Sequence, residues 1–128
     1  VGPGRGPGTG GRRTIPEYYG VLWSHNVVTN EPIAHVNFPF DVRSGVLATS
    51  GGLVFIGQHD GWVSAHNSDT LETLWQFNVG TEVKAPPMTF SYGGNQYIAV
   101  TTGGSPYADN PAGLEPQFQT PMLVVFKL

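Results

Sequence analysis

Short apolar runs separated by glycine-rich turns occupy most of the chain. The run 45–49 stops at a Ser-Gly-Gly turn and is followed by the run 53–57, a pattern that predicts a β-hairpin. Two further short segments, 62–66 and 73–79, each follow a turn and bring the predicted strands in this stretch to four. No window shows the i, i+3, i+4 apolar spacing of a helix, so the pattern predicts an all-β fold.

The same pattern continues on both sides of this stretch. Downstream, the runs 87–90 and 96–101 flank a Gly-Gly turn, and a last strand is predicted at 122–126. Upstream, residues 20–40 contain two more strand-like segments. The 18 glycines and 11 prolines among 128 residues would break most helices and agree with this assignment.

Residues 20–38 and 61–79 are two copies of one unit. The offset is constant, since position 20 corresponds to position 61, and it continues into the segments 41–43 and 82–84. A repeat of about 40–45 residues made of short strands is the period of a four-stranded propeller blade. The paired residues are Gly20 with Gly61, His25 with His66, Asn26 with Asn67, Thr29 with Thr70, Glu31 with Glu72, and Asn37 with Asn78.

The chain therefore contains about two to three blades of a β-propeller. Residues 20–40 supply the outer half of one blade, 45–79 a whole blade, and 86–128 three strands of another. A closed ring needs about four blades or more, so we expect another polypeptide to complete it. The segment 1–18 is a Gly/Pro/Arg-rich tail or linker, and 19–128 form the C-terminal blades.

The last blade lacks a fourth strand in this interpretation. The segment 1–13 is too rich in glycine and proline to form it. We therefore expect the strand beside 122–126 to come from a different polypeptide.

Composition narrows the possible functions. A net charge of −3 with 12% charged residues argues against a nucleic-acid partner, and no apolar run is long enough to span a membrane. The absence of cysteine excludes disulfides, thiolate zinc sites and cysteine nucleophiles. No serine has a nucleophile-elbow context, so a hydrolase has little support. The four histidines lack metal-ligand spacing, and the equivalence of His25 and His66 argues for a structural role.

The segment 65–75, AHNSDTLETLW, carries a recognisable motif. It resembles the tryptophan-docking repeat of the pyrroloquinoline quinone (PQQ) dehydrogenases, whose usual form is Ala-x-Asp-x-x-Thr-Gly-Lys-x-x-Trp. Trp75 takes the docking position, where it should pack between neighbouring blades. The departures from the usual form are Asn67, Leu71 and Glu72.

The flanking segments are also similar to this family, in the family's own order, over about residues 19–128. They correspond to its penultimate and last blades, at 45–57, 60–61, 75–77, 86–89, 94–100 and 123–126. The resemblance implies an eight-bladed propeller with PQQ and Ca²⁺ or a lanthanide on its axis. It also implies oxidation of an alcohol or similar small substrate in the periplasm, or by a secreted protein, with a cytochrome c as a candidate electron acceptor.

The family's catalytic aspartate and metal carboxylates belong to blades upstream of this region, and the chain has no match to them. The resemblance therefore implies that a larger partner polypeptide carries the catalytic base and the metal ligands. The chain would be the C-terminal part or small subunit that closes the propeller and forms one wall of the cofactor pocket. The alternative is a non-catalytic propeller piece that serves as a binding or assembly scaffold.

Thr102, Gly103 and Gly104 follow the strand that ends near residue 101. Many family members have a Gly-Trp pair here whose indole meets the rim of the quinone. Gly103 fits the glycine of that pair, and Gly104 stands where the tryptophan would be. Glycine permits close approach of the backbone to a planar acid, so this segment is a candidate for cofactor contact.

Arg43 and Lys84 are the other candidates for cofactor contact. The repeat pairs them, and each precedes a predicted innermost strand, a position that lines the axial channel. Cations at these positions would suit the carboxylates of PQQ. Alternatively, both are rim charges that pair with Asp41 and Glu82.

Overall fold

The structure is a computed structural model that describes residues 20–103 and 121–128. Within these ranges the chain forms nine β-strands and no helix. The strands are β1 Gly20–His25, β2 Pro32–Phe38, β3 Val46–Ala48, β4 Leu53–Gly57, β5 Trp62–Asn67, β6 Thr73–Asn78, β7 Met88–Tyr92, β8 Asn95–Thr101 and β9 Leu123–Lys127.

The strands form three antiparallel sheets in chain order. The first sheet is β1-β2, the second is β3-β4-β5-β6, and the third is β7-β8-β9. The all-β prediction and the division into a half blade, a whole blade and three strands are confirmed, although the last strand begins one residue later than predicted. The predicted tail 1–18 lies outside the described residues. Completion of the ring by another chain stays a prediction.

Two buried apolar clusters lie between the second and third sheets. Val63 of β5, Val83 and Val100 of β8 form one buried cluster, and Phe55, Ala65 and Ile98 form another. Strand residues alternate between the two faces of a sheet, so Val63 and Ala65 face the same side, as do Ile98 and Val100. The apolar alternation in the sequence thus produces the contact between these two sheets.

Both repeat copies form the same side-chain-capped turn between their strands. The Asn26 Oδ1 accepts from the backbone N–H groups of residues 28 and 29, and the Asn67 Oδ1 accepts from those of residues 69 and 70. Asn30 and Leu71, at equivalent positions, have φ of 58° and 57°. The left-handed region disfavours a leucine, and Leu71 stands where the family's motif has glycine. Asparagine supplies the same acceptor oxygen as the motif's aspartate.

The buried ring of His66 forms hydrogen bonds within the second repeat copy. Its Nδ1 donates to the Leu71 carbonyl at 3.1 Å, and its Nε2 lies 2.9 Å from the Ser64 hydroxyl, which leaves Nε2 as the acceptor. The ring is 1% exposed, and burial lowers the pKa of His66. His25 makes the corresponding contact, 3.4 Å to the Asn30 carbonyl, from an exposed position. The predicted structural role is confirmed for His66 and stays a prediction for His25.

Trp75 lies at the contact between the second and third sheets. Its ring centroid is 5.0 Å from that of Phe126 on β9, in an edge-to-face arrangement, and it stacks on Phe77 of its own strand. The predicted contact with a neighbouring blade is confirmed. Within the described residues the Trp75 side chain is 39% exposed.

Gly57 marks the closest approach between the second sheet and the connection that follows it. A Cβ at this position would collide with Cγ1 of Val83, and it would also lie 3.3 Å from the Ser44 Cβ. The Ser44 hydroxyl donates to the Gly57 carbonyl at 2.8 Å and accepts from its N–H at 3.0 Å. Only glycine lets the end of β4 pack this tightly against two connecting loops.

Candidate cofactor-facing end

The connections between blades and the turn between β4 and β5 gather at one end of the sheets, which we call the loop end. Antiparallel strands place the connections 39–45, 58–61 and 79–87 there, together with the segment after β8. The opposite end carries the hairpin turns of the strand pairs β1-β2, β3-β4, β5-β6 and β7-β8. The candidates for cofactor contact that the structure describes, Arg43, Lys84, Thr102 and Gly103, all lie at the loop end.

A buried charged group occupies the loop end, and we call it the His59–Glu82–Lys84 network. His59 Nδ1 lies 2.6 Å from Glu82 Oε1, and Lys84 Nζ donates to Glu82 Oε2 at 3.2 Å. The side chains of His59, Glu82 and Lys84 are 8%, 7% and 29% exposed, so both carboxylate oxygens are engaged in a nearly dry environment. Removing a carboxylate from water is costly, and these two partners offset that cost.

The backbone of Glu82 reaches the third sheet as well. Its carbonyl accepts from the N–H of Gly103 at 2.9 Å. Gly103 has a φ of 107°, which favours glycine, and a Cβ there would lie 3.2 Å from Pro121 Cα. Thr102 is buried, and its hydroxyl accepts from the N–H of Met122 at 3.1 Å. The structure therefore brings Lys84, Thr102 and Gly103 together around Glu82.

Arg43 forms a separate pair. Its Nε donates to Asp41 Oδ2, and the two side chains are 44% and 28% exposed. This pair repeats the spacing of Glu82 and Lys84 at a more solvated place. The pairing of both cations with their neighbouring acids is therefore observed, while their contact with a cofactor remains untested. Gly104, the fifth candidate, lies outside the described residues.

Sequence reasoning missed His59 and the burial of Asp60. His59 meets Glu82 across 23 positions, and no spacing rule predicts such a contact between two loops. Asp60 occupies the same turn, and its Oδ1 is buried without a hydrogen-bond partner among the described residues. Burial raises the pKa of Asp60, opposed by backbone N–H groups and by the charge of His59.

The loop end fits the carboxylate edge of a planar acid better than it fits a metal ion. Lysine has three N–H donors and arginine five, and within residues 20–103 and 121–128 each of these two side chains makes a single hydrogen bond, to a neighbouring acid. Donors therefore remain for a ligand's carboxylates. In the part of the chain that the structure describes, no three side chains of histidine, aspartate or glutamate come together as a metal site.

One complete four-stranded antiparallel blade and two partial blades, in a repeat of this length, define the class of the molecule as a β-propeller. The family model described as "PQQ: Glucose/ethanol/alcohol dehydrogenase, beta-propeller domain" matches residues 20–98. The chain belongs to this family of PQQ-dependent dehydrogenases. The resemblance noted in the sequence is confirmed.

Curated relatives agree with this assignment. The chain is 38% identical over 92 residues to a quinoprotein ethanol dehydrogenase of Pseudomonas putida, a match that covers 72% of the chain and 15% of the relative. It is 37% identical over 97 residues to subunit 1 of a methanol dehydrogenase [cytochrome c] of Methylobacterium organophilum, covering 76% and 16%. The chain thus spans about one sixth of the length of these relatives.

Solved structures show the same likeness. A europium-containing methanol dehydrogenase matches with a TM-score of 0.64 and 34% identity, over 68% of the chain and 15% of that protein. The quinohemoprotein alcohol dehydrogenase of Comamonas testosteroni matches with a TM-score of 0.62 and 32% identity, over 65% and 12%. No helix in residues 20–103 or 121–128 is long and apolar enough to cross a membrane.

Proposed function

We propose that the chain is the C-terminal part, or a small subunit, of a PQQ-dependent dehydrogenase that oxidises an alcohol or a similar small substrate. It closes the propeller and forms one wall of the cofactor pocket. The observation that carries this proposal is the meeting of Lys84 and Gly103 at the loop end of a chain from this family. These two residues come from different connections, and Glu82 joins them.

In this proposal the chain binds and orients the cofactor. Arg43 and Lys84 donate hydrogen bonds to PQQ carboxylates, while the backbone at Thr102, Gly103 and Gly104 allows the planar ring system to approach closely. When bound, PQQ supplies the acceptor for the two electrons released on oxidation of the alcohol. The chain supplies neither the catalytic base nor the metal ligands.

The remaining components belong to partners. A larger polypeptide carries the other blades of an eight-bladed ring and binds most of the Ca²⁺ or lanthanide. The match covers only about one sixth of the relatives' length, which supports a partner, or a longer chain, that supplies the other blades. We also propose a periplasmic or secreted location and a cytochrome c as electron acceptor. The name of the Methylobacterium relative, which includes cytochrome c, supports the acceptor.

The fourth strand of the last blade is proposed to come from a different polypeptide. The outer edge of β9 pairs with no strand among the described residues, and Leu123 and Val125 are 63% and 46% exposed. Slow amide exchange along 123–127 in the complete protein would support this proposal. Fast exchange there, or a fourth strand formed by residues 1–13, would contradict it.

A scaffold role is the second candidate. It is favoured by the pairing of both Arg43 and Lys84 with acids of the same chain, which reduces their net attraction for an anion. A propeller segment that uses these cations for internal ion pairs would serve assembly rather than catalysis.

Purification of the native protein with its companions distinguishes the two candidates. The dehydrogenase proposal expects PQQ absorbance, one Ca²⁺ or lanthanide ion per propeller, and alcohol-dependent reduction of a dye. A complete propeller that lacks PQQ and does not bind it when PQQ is added would favour the scaffold. Recovery of the chain as a folded monomer without a larger companion would contradict the proposed role as a separate small subunit.

A further inference from the structure

The charged pairs of the two repeat copies are built differently, although the sequence spacing is the same. Asp41 and Arg43 meet at a more solvated place, where a single hydrogen bond joins them and Asp41 Oδ1 is buried without a hydrogen-bond partner among the described residues. Glu82 and Lys84 meet beside His59 in a nearly dry place. Glutamate is one methylene longer than aspartate, and the carboxylate of Glu82 contacts both bases at once.

The burial of the Glu82 carboxylate with His59 and Lys84 is not explained by stability alone. A buried ion pair recovers its desolvation cost only with good geometry, and well-packed apolar side chains often stabilise a protein equally well. What the Glu82 carboxylate does provide is a fixed direction for a flexible side chain. Lysine has a flexible four-carbon stem, and a hydrogen bond to an immobile acceptor restricts its ammonium group.

Glu82 has a second role through its backbone. Its carbonyl accepts from Gly103, so one residue holds the lysine of the connection 79–87 and the glycine that follows β8. His59 comes from a third connection, 58–61, and holds the other oxygen of the carboxylate. A displacement of Glu82 would therefore move both candidate cofactor contacts together.

We propose that Glu82, itself held by His59, is a positioning residue that fixes the Lys84 ammonium and the Gly103 backbone as one unit against a carboxylate of bound PQQ. This inference rests on the proposed function, since it takes Lys84 to be a cofactor contact. Glu82 acts through Lys84 and does not touch the cofactor. The exposed pair of Asp41 and Arg43 lacks this arrangement and serves as the internal comparison.

The test is titration of PQQ into the complete apo-dehydrogenase that contains this chain, followed by cofactor absorbance or fluorescence. Glu82→Gln keeps the shape and the backbone bond to Gly103 but removes the charge. It should weaken PQQ binding about tenfold, because the loss of a fixed direction for the Lys84 ammonium outweighs the loss of repulsion between the Glu82 carboxylate and the carboxylate of the ligand. Lys84→Gln should weaken binding to a similar extent. Asp41→Asn, the matched control at the exposed pair, should change binding less than about threefold.

Two further readouts separate positioning from a merely structural role. The double variant Glu82→Gln with Lys84→Gln should bind PQQ no more weakly than Lys84→Gln alone, because Glu82 acts through that lysine. Glu82→Asp, which retains the charge, should restore part of the affinity lost in Glu82→Gln. If Glu82→Gln does not fold, His59→Gln provides the second test and should weaken binding about threefold by loosening the carboxylate.

The outcomes distinguish the two proposals. If the wild-type apo-protein binds no PQQ, or if Lys84→Gln binds it normally, the assignment of the cofactor wall fails. If Lys84→Gln weakens binding while Glu82→Gln does not, the positioning role of Glu82 is overturned and the cofactor wall stands. Losses that simply add in the double variant would likewise overturn the positioning role.

Discussion

The two repeat copies share their local turn chemistry and differ in their burial. In both, an asparagine caps the turn, a residue with φ near 57° follows, and a histidine contacts the carbonyl of that residue. The second copy belongs to a four-stranded sheet, and on the face opposite Val63 and Ala65 the ring of His66 meets Phe38 of the first sheet edge-to-face at 6.1 Å, so His66 is buried. The first copy has only two strands, and His25 is exposed. Short-range hydrogen bonds therefore follow from the repeat itself, whereas burial follows from its neighbours.

Loss of Trp75 should have the largest effect. Trp75→Ala removes the contact with Phe126 on the third sheet and should lower the free energy of unfolding by about 2–3 kcal/mol, less than for a fully buried tryptophan. Trp23 of the first copy stacks on His35 at 4.7 Å, and Trp23→Ala should cost only about 1 kcal/mol. Denaturant unfolding of the complete protein measures both. Equal losses would show that Trp23 is also covered by a neighbouring blade, and they would contradict the difference in burial between the two copies.

The second-largest difference in stability between the copies should come from a glycine substitution at the turn residue with positive φ. Leu71→Gly relieves an unfavourable φ but removes a buried side chain, and we expect a net loss of about 1–2 kcal/mol. The equivalent Asn30→Gly should change stability by less than about 0.5 kcal/mol, since asparagine tolerates this region. Thermal unfolding measures the difference. A gain in stability for Leu71→Gly would mean that backbone strain outweighs burial at this turn.

The pH dependence of stability should report the burial of His66 in the second copy. Burial lowers the pKa of His66, so below its ordinary value near 6.5 the unfolded chain binds more protons than the folded protein. Stability should therefore fall as the pH drops through about 6.5, by up to about 1.4 kcal/mol per pH unit.

The variant His66→Gln tests whether His66 is the source of this pH dependence. It should remove that part of the pH dependence whatever its effect on stability at neutral pH. Unfolding measured between pH 5 and 8 provides the comparison. An unchanged slope in His66→Gln would exclude His66 as its source.

Substitution of the turn-capping asparagines should give the smallest difference in stability loss between the two copies. Asn67→Ala and Asn26→Ala each remove an acceptor of two backbone N–H groups, and each should cost about 0.5–1 kcal/mol. The two losses should agree within about 0.5 kcal/mol, because the hydrogen bonds are local. A much larger loss at Asn67 would show that its turn depends on the surrounding sheet.

The sequence predicted the strands well because strand signals are local. Alternation and glycine turns lie within a few residues of each other, and the hairpins 45–57 and 87–101 were placed on that basis. The division into blades followed from the repeat. The boundary of β9 was missed by one residue, because Met122 is apolar like the strand that follows it, and pattern alone does not mark where its pairing begins.

The site was less predictable because it depends on contacts between distant loops. Arg43 and Lys84 were found through the repeat, and their pairing with acids two positions away was among the alternatives. His59 could not be found in this way, since its contact with Glu82 exists only when two connections meet at the loop end. The partial exposure of Trp75 likewise depends on how the second and third sheets meet, which no short motif specifies.

The tight fit of Gly57 against Val83 and Ser44 has a consequence for the geometry of a closed ring. In an eight-bladed ring each blade occupies a sector of about 45°, and any angular error at one joint is carried to the next. Because the contact of Gly57 with Val83 and Ser44 has no spare volume, it restricts the angle between one blade and the next. Added volume at Gly57 would therefore open a gap between the first and last sectors rather than cause a purely local defect.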